Sequence, residues 1–235
     1  MAGKTFILHL KIKGENNMHC VFVKTFDKKE YAEDFLNNGK MLFRHVSYYQ
    51  ELEDGQIRGD NNEGYVTDHS KVFIKENTKT LRIGDSKFFV DWEGVQRDYP
   101  ELKSASGNFN FELTYIADVQ IFCMTYINGQ MQNMDDIVET IKGFGKYCVV
   151  IIDCADFLNK ISTIKDIAYV RVKYSDTEEK NLGIKRELYK NQSEFRVIKR
   201  QGGEKSFETL GKLKGFICSP DDLLLFLLLD VKEIG

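Results

Sequence analysis

The chain has 235 residues, 42% of them hydrophobic and 29% charged; at roughly 150 residues per domain this is one large domain or two small ones. Its 17 Phe and 11 Tyr supply enough aromatic area to offset the entropy of ordering, which excludes disorder as the dominant state, and 2 Pro with 18 Gly exclude collagen-like and low-complexity chains. The net charge of −3 excludes a global basic footprint for coating a duplex, and leaves a local basic patch open.

Residues 1–17 read as an N-terminal extension, with a strand at Phe6–Ile12 and a turn-like break at Gly14-Glu15-Asn16-Asn17. Its apolar run, broken by His9 and Lys11, is too short for a secretory signal. Met18 opens the single domain, 18–235. Residues 19–26 are β-branched and aromatic and predict a strand. Asp27 stands as a helix N-cap with Glu30 at capping-box spacing. Tyr31, Ala32, Phe35 and Leu36 share one face of a helix over 28–38, closed by Gly39. A strand follows over 40–46, then a polar, acidic, Gly-punctuated stretch to about residue 65.

Strand-like alternations run through 71–92, and 95–112 is a polar loop marked by Pro100. Residues 117–127 are apolar on both faces, as a central strand requires. A helix over 135–144, a strand over 147–152, a helix over 153–161 and a strand over 167–174 come next. After a polar connection, residues 185–190 suggest a short helix and 194–199 a strand. The tail, 206–235, gives a strand or two and a leucine-rich element. Strands outnumber helices without alternating regularly with them, which predicts one α+β domain with a mixed, mainly antiparallel sheet. Leu223–Leu229 falls far short of the roughly 20 apolar residues of a membrane span, so no membrane partner is expected. The five cysteines lack C-x-x-C spacing, which argues against zinc. They read as small buried hydrophobes in a reducing compartment, the cytoplasm by default.

No dinucleotide or phosphate-loop glycine pattern, zinc-protease motif or nucleophile elbow is present. His9, His19, His45 and His69 are widely separated. Two features stand out. Arg58-Gly59-Asp60-Asn61-Asn62-Glu63-Gly64 places two carboxylates and an arginine on a loop; a solvated turn is the other reading. In Gln192-Ser193-Glu194-Phe195-Arg196, strand alternation would put Gln192, Glu194 and Arg196 on one face, opposite Phe195 and Val197. That polar face is either a site or a surface laced with cross-strand ion pairs.

The blocks VFVKTFDKKEYAEDFLNNGKMLFRHVSYYQELEDGQIRGDNNEGY, VQIFCMTYI, YCVVIID, AYVRVKY and YKNQSEFRVI resemble a group of uncharacterised bacterial proteins, over most of Met18 to about Gly215. More distantly, the chain is similar to ADP-ribosyltransferases, whose split mixed sheet holds NAD in a cleft. That resemblance implies NAD as substrate. Gln192-Ser193-Glu194 matches the late Gln/Glu-x-Glu motif. Tyr48 and Tyr49 take the aromatic place, and Lys24-Thr25 falls at the first-strand position, where relatives carry Arg or His. Thr125 loosely matches the middle-strand Ser-Thr motif. Glu194, Gln192 and Tyr48 are then the catalytic residues. Lys24, Thr25, Arg44, Tyr49 and Thr125 hold the NAD, Lys24 or Arg44 at its phosphates, with no metal needed. The implied setting is a bacterial toxin or phage-defence effector acting on a macromolecular acceptor, nucleic acid or protein, with an antitoxin or a second copy as further partners. Two other readings stay open. One is a metal-dependent nuclease using Asp60, Glu63 and Glu194. The other is a non-catalytic interaction protein docking through Leu223–Leu229.

Overall fold

The computed structural model describes residues 20–50, 64–74, 80–83, 86–89, 107–129, 133–176, 180–200 and 203–232. The predicted extension, the Phe6–Ile12 strand and most of the 95–112 loop lie outside these. The β-branched run Cys20–Phe26 forms β1 and leads into helix α1, Lys29–Asn38. Asp27 is not its cap. Lys28 holds that position in extended conformation with no side-chain cap bond, and the first turn closes on the Lys28 carbonyl. At the other end Gly39 adopts φ 63°, and its N–H bonds the Phe35 carbonyl at 2.9 Å. A Cβ there would meet the Gly211 carbonyl oxygen at 2.5 Å, so only glycine fits this turn.

Strand β2, Lys40–His45, and the short helix α2, Ser47–Gln50, follow. Strand β3, Tyr65–Ile74, pairs along ten positions with β6, Gly107–Ile116, while β4, Thr80–Ile83, and β5, Ser86–Phe89, form a second hairpin. Residues 107–112, predicted as loop, are therefore strand; a long ladder overrides the local turn signal of Gly107-Asn108. Then come β7 (Gln120–Asn128), α3 (Met134–Lys142), β8 (Tyr147–Ile151), α4 (Cys154–Ile161), β9 (Ile167–Arg171) and β10 (Lys173–Tyr174). The predicted strand over 167–174 is thus two strands, broken at Val172. Strand β11 is Ile184–Lys185, and the predicted helix over 185–190 is a 3₁₀ turn at Glu187–Gln192. Strands β12 (Glu194–Lys199), β13 (Lys205–Thr209) and β14 (Gly215–Cys218) precede α5, Pro220–Lys232. No helix among the described residues is long and apolar enough to cross a membrane.

Eight strands form one sheet in which every pairing is antiparallel, through the path β13-β2-β7-β1-β8-β14 with β12 and β9 attached. The parallel pair β10–β11 lies outside it. The domain is α+β with a mainly antiparallel sheet and few helices, as the element pattern predicts. Strand alternation covers both faces. On one, Phe22, Phe122, Val149 and Phe195 pack with Ala32 and Phe35 of α1 and Phe157 and Ile161 of α4. On the other, Val23, Cys148 and Val150 meet Ile137 and Ile141 of α3 and Leu223 of α5.

Strand β7 is the centre of this arrangement. One edge is taken by β12 from Gln120 to Thr125. The other is divided: Gln120 and Ile121 pair with His45 and Arg44 of β2, while Thr125 to Asn128 pair with β1. Between these contacts β1 and β2 diverge from Phe122, Cys123 and Met124, and a gap opens in the sheet.

Candidate functional site

A cleft of about 640 Å³ occupies this gap. Lys24 and Thr25 of β1, Arg44 of β2, Tyr48 and Tyr49 of α2, Thr125 of β7, Gln192 of the 3₁₀ turn and Glu194 of β12 all line it. These are the eight residues that the resemblance nominates for catalysis and NAD binding. Lys24 donates from Nζ to the Cys123 carbonyl at 2.6 Å and lies 4.5 Å from the Phe122 ring centroid, so its amine spans the divergence. The Arg44 guanidinium covers the Tyr48 ring at 4.2 Å, and Tyr48 meets Tyr49 edge-on at 5.3 Å. His45 anchors the start of α2 through a 2.8 Å hydrogen bond between Nδ1 and the Ser47 Oγ. Thr125 is buried and stands directly between Val23 and Glu194 in register.

Gln192 and Glu194 do not share a strand face, contrary to the alternation expected. Gln192 ends the 3₁₀ turn, and Ser193 takes φ 43° before β12 begins. The Ser193 hydroxyl donates to the Tyr126 carbonyl at 2.6 Å, and the Tyr126 N–H donates to the Ser193 carbonyl at 2.8 Å. This pinning turns both side chains toward the cleft. The surface-strand alternative fails as well, because every residue of β12 is buried.

Glu194 is held by a cluster. Arg196 Nε donates to one carboxylate oxygen at 2.7 Å, while Lys185 Nζ and an Arg196 terminal nitrogen each reach the other at 3.3 Å. Lys185 also donates to Gln192 Oε1 at 2.9 Å and lies 4.8 Å from the Tyr189 ring centroid. The Glu194 N–H donates to the Tyr174 hydroxyl at 2.7 Å. Burial pushes the Glu194 carboxyl up, but the charges of Arg196 and then Lys185 outweigh it and hold it well below the usual carboxylate range. Burial, then the nearby Glu194 charge, pushes the Cys123 thiol up, so it stays protonated. The same two causes raise Tyr174.

Lys185 does not stand out as a site residue in the sequence, where it opens the predicted short helix over 185–190. Its role depends on the β10–β11 pairing that carries it under Gln192. The thiols are less uniformly buried than expected: Cys148 and Cys218 are buried cross-strand partners, whereas Cys20, Cys123 and Cys154 are half-buried. Arg58, Asp60 and Glu63 lie outside the described residues. Among the described residues, no group of three or more His, Cys, Asp or Glu is placed to hold a metal ion.

The lining of the cleft carries Lys24, Lys28, Lys40, Arg44 and Lys185 against Asp27, Asp34 and Glu194. It is a cationic recess in an acidic chain, suited to an anionic ligand with aromatic parts. Comparison with protein-family models, with curated proteins and with solved structures gives no match.

Proposed function

We propose that this chain is an NAD-dependent ADP-ribosyltransferase with an ADP-ribosyltransferase-like split sheet, acting on a macromolecular acceptor. The supporting observation is the convergence of all eight nominated residues, from three distant stretches of chain, on one cleft at the divergence of β1 and β2. The toxin or phage-defence setting is carried over from the resemblance, and a cytoplasmic site of action from the cysteine pattern.

In this reading Lys24 and Arg44 take the NAD phosphates, and Tyr48 with Tyr49 flank the nicotinamide. Glu194 faces the ribose. Breaking the bond between ribose C1′ and the nicotinamide nitrogen sends the bonding pair to the ring and leaves positive charge on the sugar. A fixed carboxylate stabilises that charge, the more so where water is excluded. Arg196 and Lys185 keep Glu194 ionised and aimed, and Gln192 orients the acceptor. The nucleophile then bonds C1′ and gives up its proton.

The test is transfer of label from NAD in a cell lysate, with nucleic acid and protein separated afterwards. The native chain is expected to transfer label and Glu194→Gln to lose it by about 10²-fold or more. A thermal melt shows that the variant is folded. Neither nicotinamide release nor label transfer by folded native protein would overturn the proposal.

A further inference from the structure

We infer that the acceptor is a single-stranded nucleic acid, gripped along β2 by paired cations and aromatic rings at the mouth of the cleft. The inference rests on the transferase reading for its chemistry. Its binding step is independent of NAD.

Along β2, Met41 and Phe43 are fully buried in the core, so by alternation Lys40, Leu42 and Arg44 share the opposite face, and all three line the cleft. Phe207 of β13 stands directly across from Leu42 and joins that face. Apart from Tyr48, which belongs to the NAD site, two large rings project at the mouth: Tyr31 and Phe207 are 54% and 56% exposed. Each has a cation over it. Lys28 lies 5.4 Å from the Tyr31 centroid and Lys40 5.5 Å from Phe207. Lys40 also bonds Asp34 of α1 at 3.0 Å, which ties the α1 end of the rim to the β2 end.

Large exposed rings at a cationic cleft are what a polynucleotide requires. Every nucleotide offers a flat π face and a fixed negative charge, and the rim answers with a ring and a cation at two places, leaving Arg44 and Tyr48 to NAD. A base must be unstacked to reach such a ring, which selects single strands over duplex. The net charge of −3 restricts the grip to this patch. A peptide presents no regular alternation of planar groups and negative charge to match it.

The experiment is fluorescence anisotropy of short mixed-sequence single-stranded DNA and RNA, in separate arms, with the duplex as control. Folded native protein is expected to bind at least one single strand and to bind the duplex more weakly. Binding should weaken with salt, with a log–log slope of about −1.4 for two phosphate contacts. Phe207→Ala and Tyr31→Ala, at exposed positions that leave the core intact, should each cost about tenfold in affinity. No binding of either single strand, or binding that neither substitution alters, would overturn the inference. So would NAD label passing to protein and not to nucleic acid. Single-strand binding without nicotinamide release would instead sink the transferase reading and leave the binding inference standing.

Discussion

Glu194 is buried beside two cations, and its titration is therefore tied to folding. Its carboxyl is lowered in the folded chain relative to the ordinary value of about 4.3. The contribution is fully present above that ordinary value and is lost as pH falls through and below it. Glu194→Gln removes the charge and leaves Lys185 and Arg196 buried without their anion. At neutral pH the variant is expected to be less stable by about 3 kcal/mol. The gap should narrow as pH drops below about 4, where the unfolded chain's carboxyl takes up its proton while the folded one stays ionised. Urea melts of both proteins across pH 3–7 check this; a constant gap would show that the ion cluster does not control the titration.

Elements with their own periodicity were legible in the sequence. Tyr31, Ala32, Phe35 and Leu36 announce α1, and the unbroken apolar residues of β7 announce a central strand. Features made by distant partners were not. Strand β6 is a partial exception: it alternates strictly from Asn108 to Tyr115, a strand signal masked by the turn-like Gly-Asn at its start, and its long ladder with β3 realises it. Lys185 enters the site through a two-residue pairing. The Gln192–Glu194 relation lies in the left-handed Ser193 and not in strand alternation. Gly39 was legible as a helix stop but not as a contact. Its φ of 63° and the 2.5 Å approach of the Gly211 oxygen make Gly39→Ala costly on two counts. The expected loss is about 2 kcal/mol or more, from left-handed strain plus the displaced 210–211 turn. A thermal shift assay checks it, and an unchanged midpoint would mean that the turn relaxes freely.

At the scale of the whole molecule, an acidic chain builds a cationic recess by dividing one strand edge between two neighbours. Composition alone excluded a duplex-coating protein and could not locate a patch. Convergence on β7 also has a kinetic side. Lys24 and Cys123 are 99 residues apart in sequence, and Gln120 and Ser206, which bond across the adjoining wall, are 86 apart. Each wall thus closes a long loop before any contact rewards it, and such topologies fold in roughly milliseconds to seconds. Stopped-flow refolding followed by tyrosine fluorescence should fall in that range; microsecond folding would contradict the non-local topology. A chain with one wall docked and the other still searching already has sheet, helices and much of its core. It has no recess, because the recess is the space left when the second wall arrives.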